Sequence, residues 1–321
     1  MKKITTIAAL FIFPLFFPSA AFSFDGPLQV KNQFPLFIHV DAPYLEKADM
    51  EDSFSAGLSY SSDFMRKDSD DWSVRLDMEV AELDIRYKKI ISNFIEIGVE
   101  VPVLSFDSGF MDSFLNSYHK AFGFPDYGRS TRPNNVFEYE VRRNGALVIK
   151  GAGGGIGIGD VKLTAKKTFL KDDPALGLMA SVELPTGDAK KGYGSGGFDY
   201  GIAVLAEKRL SNKFKAYVNL GAVFPGDLKG QETLNLRDFT YGGVGIEAAL
   251  WKKFSLLGQV FIQGSPLPKT GISSVDRTAV LLTLGGRYRS SRNGLEVSLT
   301  EDPNTAGAPD VSFSISYKRS L

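Results

Sequence analysis

Five charged residues set two apart in two short runs, Arg75, Asp77 and Glu79 and then Asp84 and Arg86, are the densest group in this chain able to do polar chemistry. Side chains at a spacing of two share one face of a strand. Mixed signs on such a face either pair with one another or line a polar path. Glu96 and Glu100 join the same class, because they alternate with Ile95, Ile97, Val99 and Val101. The other reactive residue types are scarce. There are two histidines, His39 and His119, and no cysteine, too few soft ligands for a structural zinc site, so no metal is assigned. His119 has Ser113, Asn116 and Ser117 nearby. On a helix Ser117 and His119 would point to different faces, so no hydrolase constellation forms there and no catalytic residue is assigned. The run Gly151–Gly159 matches a dinucleotide-binding glycine pattern in form only. That chemistry needs a helix after the glycines, whereas Val161, Leu163 and Ala165 begin a strand. The run reads as a turning loop, and no cofactor is implied.

The elements that carry these residues are strands. From Phe54 onward apolar residues recur with period two, as in Phe214, Ala216, Val218 and Leu220, or in Val311, Phe313, Ile315 and Tyr317. In the charged stretch Trp72, Val74, Leu76, Met78 and Val80 alternate with the first run, and Leu83, Ile85 and Tyr87 with the second. The phase differs by one, and a β-bulge near Ala81 and Glu82 would restore one continuous apolar face. All seven charged residues, Arg75, Asp77, Glu79, Asp84, Arg86, Glu96 and Glu100, are then expected to line the interior of a closed sheet. Short turns are placed at Lys89–Asn93, Arg142–Gly145, Lys171–Pro174, Ser211–Lys213, Trp251–Lys253 and Ser290–Asn293. Longer Gly-, Pro- and charge-rich segments lie between them, at Ser61–Asp71, Phe106–Asn135, Gly151–Gly159, Pro185–Gly197, Pro225–Arg237, Gly264–Asp276 and Glu301–Pro309. Short turns at one rim and long loops at the other describe a transmembrane antiparallel β-barrel. Threading the chain gives about fourteen strands of about 10 residues, the length of a tilted crossing. The count falls to about twelve if Val136–Arg142 with Ala146–Lys150 is a hairpin inside a long loop. A soluble sandwich would tolerate the alternation but not explain the loop lengths. Tyr60, Trp72, Tyr87, Trp251, Phe254, Tyr288 and Tyr317 stand near strand ends, where interfacial girdles form.

Export precedes all of this. Lys2 and Lys3, the apolar stretch Ile4–Pro18 and the small residues Ala21 and Ser23 make a signal peptide over residues 1–23, with cleavage expected after Ser23. The chain carries 37 Lys and Arg against 37 Asp and Glu, so the exported part is close to neutral. Such a balance argues against a nucleic-acid partner. Three regions follow: the signal, a periplasmic amino-terminal segment over 24–52 that can reach the lumen, and an outer-membrane barrel over 53–321. One helix is expected after export, over Ser108–Phe122. There Phe110, Phe114, Tyr118 and the adjacent His119 mark a candidate plug helix in the longest connection, with the membrane surface or simple packing over the barrel rim as the other placements.

Gly26-Pro27-Leu28-Gln29-Val30-Lys31-Asn32-Gln33 with Pro35-Leu36-Phe37, the His119 and Gly123 stretch, Gly159-Asp160, and Pro185-Thr186-Gly187-Asp188 followed by Gly194-Ser195-Gly196 resemble a family of exported Gram-negative proteins known as a domain of unknown function. The resemblance spans nearly the whole exported chain. It implies kinship with the broader set of outer-membrane barrels that includes fatty-acid and aromatic-hydrocarbon uptake channels and phenol-degradation-associated barrels. The short segment before the first strand departs from the longer hatch of fatty-acid channels. The expected function is passive passage of a small molecule, an apolar one among the candidates, through a barrel that is not an enzyme. The competing expectations are a non-transporting structural or surface-interaction barrel and, third, an outer-membrane hydrolase. Outer-membrane lipid, the barrel assembly machinery and a small-molecule cargo are the expected partners.

Overall fold

A computed structural model describes residues 25–123 and 128–321. The signal sequence, its cleavage after Ser23 and Phe24 lie outside the described residues. In chain order the strands are β1 (Ser53–Asp68), β2 (Trp72–Ile91), β3 (Ile95–Asp107), β4 (Glu138–Arg143), β5 (Ala146–Lys150), β6 (Gly155–Ile158), β7 (Val161–Leu170) and β8 (Ala175–Leu184). They continue with β9 (Asp199–Arg209), β10 (Phe214–Phe224), β11 (Leu228–Lys229), β12 (Thr233–Leu234), β13 (Phe239–Trp251), β14 (Phe254–Gln263), β15 (Ala279–Ser290), β16 (Asn293–Glu301) and β17 (Val311–Ser320). Two helices, α1 (Asp112–Phe122) and α2 (Ser273–Asp276), sit in the connections.

The wall of the barrel is a 12-strand antiparallel ring that runs β1, β2, β3, β7, β8, β9, β10, β13, β14, β15, β16, β17 and back to β1. The closing ladder extends from Ser53 opposite Ser320 to Ser62 opposite Val311. β4 and β5 form a hairpin on the far end of β2, from Trp72 opposite Arg143 to Asp77 opposite Glu138. The Val136–Arg142 and Ala146–Lys150 pair is therefore an extension of a long loop, and the lower of the two expected strand counts holds. Closure leaves the wall no free edge through the apolar band, which is how a sheet satisfies its backbone in lipid. Among the described residues no helix is long and apolar enough to cross a membrane.

Strand ends sort into two rims. Residues 92–94, 171–174, 210–213, 252–253 and 291–292 turn at one rim, where β1 begins and β17 ends. Long connections leave the other rim. The expected loop over Ser61–Asp71 is mostly strand, because β1 and β2 run on past the wall and turn only at 69–71. Outward positions are apolar and inward ones polar in the half near the short turns: Ile97 is 39% and Val99 37% exposed, whereas Glu96 is 2% and Glu100 4%. Tyr87, Trp251, Tyr288 and Tyr317 face outward near the short-turn rim, as a girdle requires.

β2 departs from the expectation. Its register against β1 is unbroken from Lys88 opposite Ser53 to Ser73 opposite Asp68, so no bulge interrupts it. Side-chain parity is then constant along the strand. Trp72, Val74, Leu76, Met78 and Val80 share the inner face with Glu82, Asp84, Arg86 and Lys88, and all are buried. Trp72 is core, not girdle. Arg75, Asp77 and Glu79 consequently face out rather than into the lumen. The apparent phase shift is a change in what the interior contains: charge near the short turns and apolar rings near the long loops.

Candidate functional site

Residues 25–52 fill the barrel. A 12-strand ring encloses more space than its own inward side chains occupy, since the interior is already packed at about eight strands. Here the extra space is taken by the amino-terminal segment. It starts near the short-turn rim, where Asp25 pairs with Arg289 at 3.0 Å, and rises past Gln259, whose Oε1 accepts from Leu28 N at 3.1 Å. At the long-loop end it turns through Phe34–Val40. It then descends past Asp41, Tyr44 and Glu46 to Asp52, which accepts from Ile90 N at 2.6 Å beside the start of β1. Of the placements open to this amino-terminal segment, the lumen is the one it takes, and it acts there as a plug.

Two tiers hold it. In the charged tier Lys31 Nζ lies 2.6 Å from Glu82, Asp84 and Glu100. Arg86 bridges Asp84 and Glu100 at 2.8 Å each, and Tyr44 donates to Glu100 at 2.9 Å while its ring lies 4.7 Å below the Arg86 guanidinium. Glu96 accepts from Glu51 N at 2.6 Å and pairs with Lys166 at 3.2 Å. Asp41 pairs with Lys162, and Glu46 with Lys88. Four of the seven sequence-derived candidates, Asp84, Arg86, Glu96 and Glu100, therefore meet the plug. Two cavities between wall and plug beside Arg86 have volumes of only about 20 and 10 Å³, room for single waters. In the second tier Phe34, Leu36, Phe37 and Val40 of the plug pack among Val74, Leu76, Met78, Val80, Leu104 and Phe106 of the wall. Phe37 also lies where a side chain at Gly307 would be, 2.6 Å from the Cβ position. His39 closes the turn. Tyr139 Oη donates its single proton to the Pro35 carbonyl at 2.6 Å, so His39 Nε2, 2.5 Å away, is the donor to Tyr139. Burial holds the His39 pKa down at about 4, against the raising effect of the Gly192 backbone.

The three displaced candidates have another task. Glu79 accepts the backbone N–H of Phe110 at 3.0 Å and of Met111 at 2.6 Å, at the start of α1, and its other oxygen binds Tyr60. Asp77 takes Arg132 at 2.9 Å, and Arg75 pairs with Asp68 at 2.7 Å. Glu79 and Asp77 pin the β3–β7 connection to the outside of the wall, and Arg75 ties β2 to β1. Accordingly α1 is not a plug: Met111 and Leu115 pack on Tyr60 and Val311, both outward-facing. Phe110 is 71% and Phe114 56% exposed, and Phe114 stacks with Tyr118 at 6.2 Å. An amphipathic helix needs only one apolar support, and the outer wall supplies it as well as the lumen would. The His119 side chain lies outside the described residues. Ser117 donates to Ser113 O at 2.9 Å within the helix.

The glycine- and aspartate-containing motifs close the long-loop rim. Asp160 accepts Gly187 N and Ser195 N at 2.7 Å each, Thr186 donates to Gly159 O at 2.9 Å, and Asp199 accepts Asp41 N at 2.9 Å, tying these loops to the plug. Within Gly151–Gly159 the glycines admit rings: a Cβ on Gly157 would sit 2.3 Å from Tyr193. Among the described residues no group of three or more His, Asp or Glu is placed to hold a metal ion.

Residues 4–320 match the family described as protein of unknown function (DUF3187). The chain belongs to that family. No curated protein matches this DUF3187 member. Among solved structures it is similar to the COG4313 outer membrane channel from Pseudomonas putida F1, at 13% identity and a TM-score of 0.58, over 88% of this chain and 100% of that one. A weaker likeness is to the Pseudomonas putida toluene transporter TodX, at 10% identity and a TM-score of 0.43, over 92% and 100%. The likeness to the COG4313 channel agrees with the barrel fold. Sequence reasoning allowed the amino-terminal segment of this DUF3187 member to reach the lumen, and what it missed was how the segment is held there. Its signal was present in Lys31-Asn32-Gln33, a polar run between apolar residues, with Glu82, Asp84 and Glu100 in phase on two strands to receive it.

Proposed function

We propose that the protein is an outer-membrane channel for a small molecule, with its short turns in the periplasm, and that its amino-terminal segment is the gate. One observation carries this reading: a 12-strand lumen is filled by a segment that adds no strand to the ring and holds on by side-chain pairs and packed rings. Such a segment can leave without breaking the wall. A purely structural barrel of this size has no need of a removable core. A channel for an apolar or amphipathic solute needs one to keep the outer membrane tight between passages.

The chain has no cysteine, so a designed pair is unambiguous. Gln33 and Ser312 side chains meet at 2.9 Å, and Gln33→Cys with Ser312→Cys, joined by a short reducible bis-methanethiosulfonate linker in the space the glutamine fills, locks the plug to β17. Planar-bilayer recordings of the refolded protein should show conductance steps in the parent, none in the cross-linked double variant, and recovery on reduction. Absence of any step in the parent and equally in a variant lacking residues 25–44, with both shown to be assembled by heat-modifiable mobility, would favour the structural-barrel reading.

A further inference from the structure

The β1–β17 ladder stops at Ser62 opposite Val311, so β1 residues 63–68 continue without a strand partner on that side. The α2 connection and the β16–β17 loop lie there instead. Between them and β1 is a cavity of about 350 Å³ that reaches Phe34 of the plug, within the size range of small-molecule sites. Phe34, Met65, Ile272 and Ala308 supply apolar wall. Asp63 supplies the polar feature. It is 1% exposed, its Oδ2 accepts from Ser61 Oγ at 3.4 Å, and its Oδ1 has no hydrogen-bond partner among the described residues.

A buried carboxylate oxygen without a donor is costly, and a donor carrying positive charge relieves it best. Arg277, which also lines the cavity, donates to the Ser273 and Asn304 carbonyls, and other neighbouring ions are committed elsewhere. Arg66 pairs with Glu138, Asp310 with Arg129, and Asp302 accepts N–H groups of Asn304 and Ala306. Lys67, also on the wall, is exposed to water. The cavity thus sets an unpartnered carboxyl oxygen of Asp63 beside an apolar wall of Phe34, Met65, Ile272 and Ala308.

We propose that this cavity is a binding site for a small amphipathic amine, with the protonated nitrogen on Asp63 Oδ1 and the apolar body against Phe34, Met65 and Ile272. The inference rests on the channel reading and names the class of solute admitted at the mouth. Calorimetric titration of the full mature protein in detergent at neutral pH tests it with 2-phenylethylamine, its neutral counterpart 2-phenylethanol and the anion phenylacetate. The amine should bind about 10- to 100-fold more tightly than the alcohol, the difference expected for one charge-assisted hydrogen bond, and phenylacetate should give no binding heat. Asp63→Asn should remove the preference for the amine. Ala308→Phe, which fills the cavity and keeps the carboxylate, should abolish binding of both amine and alcohol, with assembly of each variant verified by heat-modifiable mobility. Equal affinity for amine and alcohol, an unchanged amine affinity in Asp63→Asn, or no amine binding by the parent would each overturn the site. Binding is read without a membrane and conductance without the amine, so failure of the site and failure of the channel reading are separate results.

Discussion

The two halves of the lumen hold the same plug by opposite means. Toward the short turns the inner face of β2 reads Glu82, Asp84, Arg86 and Lys88, and it meets Lys31, Tyr44 and Glu46. Toward the long loops the same unbroken face reads Trp72, Val74, Leu76, Met78 and Val80, and its half of the lumen holds Phe34, Leu36, Phe37 and Val40. An ion-pair tier is directional: its partners are specific, and removing one strands the others in a dry place. A ring tier is not directional, but it excludes water across the whole section. The first therefore fixes where the plug sits, and the second makes it a seal.

The sharpest way to break this comparison is to remove one residue from each tier. Lys31→Met leaves Asp84 and Glu100 sharing Arg86 and leaves Glu82 with only the Gln33 amide. Losing one partner of such a buried network costs about 3 to 5 kcal/mol, enough to release the segment. Conductance should become frequent, and a protease added at the short-turn side should cut within residues 25–52. Phe37→Ala removes a buried ring at a similar nominal cost, yet it should leave the segment protected while raising leak current. Equal protease sensitivity in the two variants would show that the tiers do not divide the work.

A second test sets the outer face of the wall against the inner one. Ile97→Arg places a charge toward lipid, worth about 2 to 4 kcal/mol at mid-membrane, and should reduce the yield of heat-modifiable barrel. Glu100→Gln should assemble normally and instead loosen the plug, because Glu100 holds Lys31 and Tyr44 of the plug as well as Arg86 of the wall. If both variants assemble equally well, the band around Ile97 and Val99 does not face lipid.

This contrast also explains what was legible in the sequence. Alternation was enough to place Ile97 and Glu100 on opposite faces, and the unequal connections were enough for a barrel. Parity failed in β2 because it was read with one rule, apolar outward, along 20 residues that pass out of the membrane. Above it the outside carries Arg75, paired with Asp68 of β1, and Asp77 and Glu79, which bind the β3–β7 connection, and the inside carries rings. Pattern alone cannot show where lipid ends. Nor could periodicity reveal residues 25–52, which have neither helical nor strand repeat. Their conformation is set by partners that are distant in sequence, such as Asn32 with Gly307 at 2.7 Å.

A third test uses pH to act on the top of the plug alone. His39 titrates at about 4, below its ordinary 6.5. It stays neutral where the unfolded imidazole is protonated, so the stability it lends is complete above pH about 6.5 and is lost as pH falls toward 4. The full difference is about 3 kcal/mol. Open probability should rise across that window in the parent and stay flat in His39→Gln. Asp302, which burial pushes up to about 6, acts in the opposite sense. Its contribution is present below its ordinary value and lost as pH rises through 6, so it cannot produce openings on acidification. A pH response retained in His39→Gln would assign the effect to another group.

The smallest expected effect separates the two segments that could have filled the lumen. α1 has the amphipathic periodicity of a plug helix but rests outside, with Met111 and Leu115 on Val311 and Tyr60. Its connection is anchored by Arg129 between Asp112 and Asp310 and by Glu79 at the helix start. Deleting Ser108–Phe122 should therefore leave single-channel conductance and open probability as they are. Arg129→Ala, which strands Asp112 and Asp310, should loosen the connection enough to expose it to protease at the long-loop side while residues 25–52 stay protected. Conductance that rises on deletion of α1 as much as on Lys31→Met would mean the helix reaches the lumen after all, and the division between an inner gate and an outer brace would have to be redrawn.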